Sequence, residues 1–219
     1  MSLFRLDASI LPATSSSRAL GDLVEAEWLS AHPDSTVTRR DLAADPVPAT
    51  AWQDAVTAGF TPPENLTDGQ IAATALARTF ADELIAADAL LFTVPLYNYG
   101  VSQHFKTWFD LVYTDPRTSP TGTALQGKPA TLVTVLGGNY APGTPKEGWD
   151  HSTGWLTRAL QDVWGLDLRV VTRPFTLVGV NPALDAFTDA AAELKADAEV
   201  AAVRSGRELA ELRGASTAA

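Results

Sequence analysis

Val94-Pro95-Leu96-Tyr97-Asn98-Tyr99-Gly100 follows the apolar run Ala89-Leu90-Leu91-Phe92-Thr93-Val94 and precedes the amphipathic run from Gln103 to Val112. An apolar run of this length without alternation marks a strand covered on both faces, the pattern of a parallel sheet between helices. Pro95 has no N–H to give a ladder, so pairing is expected to stop there. What remains is a short loop at the carboxyl end of a central strand, where open α/β sheets bind ligands. In it Tyr97 and Tyr99 offer flat faces, Asn98 offers donors and acceptors, and Gly100 allows close backbone approach, the parts needed to hold a planar heterocycle edge-on. For a short motif taken alone, a structural turn whose aromatics cover the sheet end is the commoner reading.

A second stretch changes that balance. Leu3 to Ala8 reads as a first strand, Ser9-Ile10-Leu11-Pro12-Ala13-Thr14-Ser15-Ser16-Ser17-Arg18 as the loop after it, and Leu20, Leu23, Val24 and Trp28 as one face of a helix ending before Pro33. The free N–H groups of a first helical turn and the hydroxyls of Ser15, Ser16 and Ser17 suit a phosphate, which the helix dipole also favours. Neither G-x-G-x-x-G nor G-x-x-x-x-G-K-[ST] is present. That leaves a monophosphate cradle of Ser and Thr, with a plain N-cap and surplus serines as the blander alternative.

Composition narrows the function. A formal net charge of -10 and no cysteines argue against nucleic-acid or anionic-membrane binding and exclude disulfides, thiolate nucleophiles and Cys-based metal sites. The start Met1-Ser2-Leu3-Phe4-Arg5 lacks the features of a signal peptide, and no run approaches a membrane span. A cytoplasmic protein is expected, with residues 1–213 as one domain and 214–219 as a frayed tail.

Further strands are expected over Ser35 to Arg40, Pro129 to Leu136, and Leu168 to Thr172, the last perhaps continued by Phe175 to Val178. Thr67-Asp68-Gly69-Gln70 matches a capping box ahead of a helix with Ala73, Leu76, Phe80, Leu84 and Ala87 on one face. Phe105, Trp108, Phe109 and Val112 form an aromatic helix face, core by default and a dimer interface by the sharper reading. Tyr113 to Gly127 is expected to be a surface excursion over the site. Gly137-Gly138 ends the fourth strand and could admit a ligand close to the backbone or simply make a turn. Trp155, Leu156, Ala159, Leu160, Val163 and Trp164 line another helix, and Leu184, Phe187, Ala191, Leu194 and Ala198 the closing one. Trp52 and Phe60 stand in small, polar surroundings and fit a lid, an interface or local core. Five strands alternating with helices give a doubly wound parallel sheet with helices on both faces. The flavodoxin-like order 2-1-3-4-5 puts the serine cradle and the aromatic loop at one switch point, where a mononucleotide can lie.

Over nearly its whole length the chain resembles the FMN-dependent azoreductases, flavodoxin-like NADH:quinone reductases that form homodimers. The resemblance rests on Ser9-Ile10-Leu11 with Ser15-Ser16-Ser17, on Arg40-Asp41-Leu42-Ala43-Ala44 with Pro46, on Pro95-Leu96-Tyr97-Asn98-Tyr99, on Lys106 to Leu111 and on Gly137-Gly138. It implies FMN with its phosphate on Ser9, Ser15, Ser16 and Ser17, its ring held by the Pro95, Leu96, Tyr97, Asn98 and Tyr99 loop, and its pyrimidine side near Gly137 and Gly138. Hydride would pass from NADH or NADPH through flavin N5 to a quinone or azo compound in the same slot, a ping-pong scheme. The cofactor carries the chemistry and no protein base is required. Asn98, by its backbone N–H, is the best protein candidate near N5, and His104 and His151 are isolated. Leu136 replaces a polar or basic residue frequent in relatives, and the 113–127 excursion is shorter and less aromatic than theirs. The alternatives are a flavodoxin-type electron carrier without its own substrate and a flavoenzyme serving a dedicated biosynthetic quinone.

Overall fold

The structure is a computed structural model that describes residues 1–11 and 14–211. Pro12 and Ala13 of the first loop, and the tail expected to fray, lie outside the described residues. In chain order come β1 (Ser2–Asp7), α1 (Ser16–Ala31), β2 (Thr36–Asp41), α2 (Ala51–Ala58), α3 (Asp68–Ala86), β3 (Ala89–Tyr97) and β4 (Gly100–Val101). They are followed by α4 (Gln103–Val112), β5 (Pro129–Val135), α5 (Thr153–Thr157), β6 (Asp167–Arg173) and α6 (Thr188–Glu211). The sheet runs β2-β1-β3-β5-β6 with every neighbour parallel, and the two-residue β4 folds back antiparallel on the end of β3. Without that hairpin arm this is the expected order 2-1-3-4-5.

Strand alternation assigns the two layers. Phe4, Leu6, Leu90, Phe92, Val94, Ala130 and Leu132 face the layer of α2 to α5, while Leu3, Ala89, Leu91, Val133 and Val135 face α1 and α6. The helices are punctuated as their sequences require. Ser15 caps α1, its Oγ accepting from Arg18 N, and α1 stops at Ala31 before Pro33. Thr67 and Gln70 close a reciprocal capping box on α3. Two glycines set the packing of α1. A Cβ on Gly21 would lie 2.6 Å from Thr93 Cγ2, and one on Gly206 of α6 would lie 2.7 Å from the Val24 carbonyl oxygen. The helix can therefore press closely on both the sheet and α6.

Several expectations need correction. Pairing does not stop at Pro95, which aligns with Val135 while β3 continues to Tyr97. Thr93 O, two residues earlier, accepts from Ala8 N, so the edge of Pro95 that lacks an N–H points toward β1, which has already ended at Asp7. No ladder bond is lost. The 113–127 segment does not cover the site. It leaves the far end of α4 and packs at the opposite end of the sheet, where Thr118 O accepts from Trp164 Nε1 and Gly127 N donates to Gly165 O.

The aromatic face of α4 is consumed by the core. Phe105, Trp108, Phe109 and Val112 are buried against Phe4, Phe92, Trp155 and Trp164, so it offers no dimer interface. The expected helix through Trp164 is short α5 followed by a π-helical stretch, Arg158–Val163. Phe175 to Val178 does not extend β6, and of the face expected for the closing helix only Ala198 is buried, the buried part running on through Ala202, Leu209 and Ala210.

Candidate functional site

A cleft of about 580 Å³ opens at the carboxyl ends of β1, β3, β5 and β6, within the size range of small-molecule sites. The loop after β1 lines it with Ser9, Leu11, Thr14, Ser15 and Ser16; the end of β3 with Pro95, Leu96, Tyr97, Asn98 and Tyr99; and the segment after β5 with Val135, Gly137, Tyr140 and Lys146. Thr176, Leu177 and Val180 after β6 complete the lining. Nine of the eleven expected cofactor-binding residues are thereby brought together: Ser9, Ser15, Ser16, Pro95, Leu96, Tyr97, Asn98, Tyr99 and Gly137.

Ser17 and Gly138 do not line it. Ser17 is fully buried with its Oγ 3.0 Å from Ser15 Oγ, so its hydroxyl orients Ser15 instead of facing the cleft. Its backbone N–H, like that of Ser16, lies in the first turn of α1, where helix geometry supplies no carbonyl partner. Gly138 gives its carbonyl to Phe175 N at 3.1 Å.

The hairpin explains the motif better than a loop would. Leu96 pairs with Val101 and Tyr97 with Gly100, leaving Asn98 and Tyr99 as a two-residue turn with φ of 49° and 67°. Two consecutive left-handed residues define the turn type that matches strand twist. Asn tolerates this conformation; for Tyr it stores strain of the kind found at functional sites. The left-handed positions thus fall on Asn98 and Tyr99, and Gly100 occupies an ordinary paired position.

Tyr97 spans two walls. Its hydroxyl lies 3.2 Å from Ser9 Oγ and accepts from Ile10 N at 3.2 Å. Ser102, at the start of α4, donates to Ala8 O at 3.1 Å. The cradle loop is therefore tied to the aromatic hairpin before any ligand arrives.

Gly137 is packed closely by a side chain of the segment after β6. A Cβ there would lie 2.7 Å from Leu177 Cδ1, because the chain after β6 folds back over the glycine pair. Thr176 N donates to Leu136 O and Leu177 N to Gly137 O, while Phe175 turns with φ of 58°. Leu136 itself is buried and contributes its backbone to this crossing, not its side chain to the lining.

Beneath the cradle is a charge cluster that sequence reading missed. Arg5, Asp7 and Glu25 are 4%, 5% and 6% exposed. Arg5 donates to Asp7 at 3.1 Å, to Asp22 at 2.6 Å and to Glu25 at 3.1 Å, while Thr93 Oγ1 donates to Asp7 at 2.6 Å and Arg39 pairs with Glu25. Arg18 links this cluster to the site by donating to Ser9 O at 3.2 Å and to Asp41 at 2.8 Å. Burial would raise the Asp41 carboxyl, but the Arg18 guanidinium and the N–H groups of Ala43 and Ala44 outweigh it and hold the group below the ordinary carboxylate value. The only sequence signal for the cluster was Arg5 and Asp7 on one face of an otherwise apolar strand.

The outer wall was equally unforeseen. Tyr99 meets Trp149 and Tyr140 edge-on, at 5.4 and 6.4 Å between centroids, and its carbonyl accepts from His151 N at 3.0 Å. Burial, with Tyr99 and Asp150 nearby, raises the Tyr140 phenol above its usual value, so it stays neutral at pH 7. The His104 and His151 side chains do not line the cleft. Among the described residues no group of His, Cys, Asp or Glu could hold a metal ion, and no helix is long and apolar enough to cross a membrane.

Residues 1–201 match the model of a family described as having a flavodoxin-like fold. The FMN-dependent NADH:quinone oxidoreductase of Frankia casuarinae is 40% identical over 91% of this chain and 96% of its own length. The protein of the same name from Streptomyces avermitilis is 38% identical over 95% and 97%. Among solved structures, azoreductase AzrA covers 95% of this chain and 100% of its own, with a TM-score of 0.79 at 22% identity. An FMN-dependent NADH-azoreductase from Bacillus anthracis in complex with FMN covers 93% and 97%, with a TM-score of 0.70 at 18% identity, so these likenesses concern the fold. On the family model and the near-full-length relatives together, the chain belongs to the flavodoxin-like fold family and, within it, to the FMN-dependent NADH:quinone oxidoreductases.

Proposed function

We propose that this chain is an FMN-dependent oxidoreductase that takes hydride from NADH or NADPH and delivers it to quinones and azo compounds. The observation that carries the reading is the single cleft in which a serine-lined helix N-terminus and an aromatic hairpin are joined through Tyr97. The donor set fits the cofactor: hydroxyls and first-turn N–H groups suit a phosphate without a net charge of their own, and among the described residues no carboxylate lines the cleft.

In this reading Ser9, Ser15 and Ser16 hold the phosphate with the N–H groups of Ser16 and Ser17. Pro95 to Tyr99 and Gly137 hold the ring, and the Asn98 backbone N–H serves its edge. Bound FMN supplies reversible hydride acceptance and donation. The chain's residues bind, orient and exclude water, and none is asked to form a covalent bond. Steady oxidation of NADH in the presence of FMN and menadione is the test. Turnover that depends on both, with parallel double-reciprocal lines as expected when two substrates alternate in one slot, would support the reading. FMN binding without turnover would mark an electron carrier instead.

The chain is further proposed to act in the cytoplasm as a homodimer. Support comes from α2, where Trp52 and Val56 lie one turn apart and Phe60 follows just beyond, with Trp52 50% and Phe60 86% exposed. Large apolar residues grouped in this way mark contact surfaces. Light scattering should give twice the 23.2 kDa chain mass, and Phe60→Asp should shift it toward the monomer. A wild-type monomer at micromolar concentration with FMN bound would contradict the assignment.

A further inference from the structure

We infer that Lys146 is a specificity-determining residue, an electrostatic anchor for an anionic group on the ligand that exchanges in the cleft. The inference rests on the oxidoreductase reading above. Among the described residues Lys146 is the one charged side chain in the cleft lining, and no acidic residue lines it, in a chain of net charge -10. Its ammonium lies 5.5 Å from the Tyr99 ring centroid and 5.8 Å from that of Tyr140. Among the described residues it makes no salt bridge.

The acids close to it in sequence are engaged elsewhere. Glu147 accepts from Gly143 N at 2.8 Å, and Asp150 accepts from Ser152 N and Thr153 N at 2.9 Å each. Tyr140 is neutral at pH 7 and sets no charge of its own against the ammonium.

Topology keeps Lys146 free for the second ligand. The serine cradle follows β1 on one side of β3, and Lys146 follows β5 on the other. A cofactor phosphate held in the cradle therefore lies at the far side of the cleft. The ligand that enters and leaves past Tyr99 and Tyr140 passes Lys146. In an acidic protein an isolated cation at the mouth favours anions and draws them in, an effect that salt screens. The anion has two sources, the phosphates of the nicotinamide dinucleotide or an acid group on the acceptor.

The test compares wild type, Lys146→Arg and Lys146→Glu, all loaded with FMN. Dissociation constants for NAD⁺ and for 1,4-naphthoquinone-2-sulfonate are read from tryptophan fluorescence, alongside KM for NADH and for the neutral quinone menadione. In Lys146→Glu the affinity for at least one anionic ligand should fall by about tenfold, the scale of reversing one exposed charge pair. Menadione KM and FMN affinity should hold, Lys146→Arg should behave as wild type, and the wild-type preference should fade at high salt. Loss confined to NAD⁺ and NADH identifies the dinucleotide as the source; loss confined to the sulfonate identifies the acceptor. If wild type is active and neither anion loses more than menadione does, the inference is overturned while the oxidoreductase reading stands. If wild type binds no FMN and oxidises no NADH, that reading fails and takes this inference with it.

Discussion

Ser16→Glu is expected to weaken FMN binding at least a hundredfold while leaving the protein at least as stable as before. Ser16 is the first residue of α1 and lines the cleft. A carboxylate in that first turn interacts favourably with the helix dipole, so thermal unfolding should stay put or rise slightly. The same carboxylate would sit where the proposed phosphate binds. Two unit charges 4 Å apart at a protein surface repel by about 4 kcal/mol, enough to weaken FMN by at least a hundredfold. Riboflavin, which has no phosphate, should lose far less, and that contrast separates phosphate repulsion from a damaged ring site. FMN titration of the variant at near wild-type affinity would contradict the cradle.

Arg5→Met should destabilise the fold by about 3 kcal/mol, since removing one partner of a buried ion cluster leaves uncompensated charge behind. Asp7 would keep only Thr93 and a 3.6 Å contact to Arg18, and Glu25 would keep Arg39. Against a total stability of about 5–15 kcal/mol for ordinary domains, urea unfolding should show the loss plainly. FMN affinity is also expected to drop, because Arg18, which holds the Ser9 carbonyl, shares Asp7 with Arg5. A loss below 1 kcal/mol would mean that the cluster is solvated and not a structural element.

What could be read from the residues followed their periodicity and punctuation. The unbroken apolar runs of β3 and β5, the capping box at Thr67 and the stop before Pro33 each express a local rule, and each recurs in the fold. The site was legible where one segment supplies neighbouring residues, as in Ser15-Ser16 or Tyr97-Asn98-Tyr99. It was illegible where the fold joins distant segments. Lys146, Tyr140, Thr176 and Leu177 enter the cleft through loops after β5 and β6 that carry no periodic signal. Leu177 crossing Gly137 depends on a long-range backbone exchange that no short window contains. Pro95 misled because its missing N–H matters only on the side where a partner strand exists, and β1 ends too early to be that partner. The α4 aromatics read as core by default and as a dimer interface by the sharper reading, and the cover that Trp155 and Trp164 give to Phe109 comes from a distant helix that no local window contains. Asn98 was expected to serve through its backbone, and its left-handed φ adds that Asn98→Gly, not Asn98→Ala, removes the side chain without straining the turn.

This cleft is proposed to hold FMN and to pass hydride from a nicotinamide to a quinone. The most direct test is anaerobic: the purified, FMN-saturated protein is mixed with one equivalent of NADH, followed by menadione, and the flavin absorption band is recorded throughout. NADH alone should bleach the band and menadione should restore it fully, both changes being absent in Ser16→Glu. A band that NADH leaves unchanged, or that bleaches but does not recover with the quinone, would contradict it.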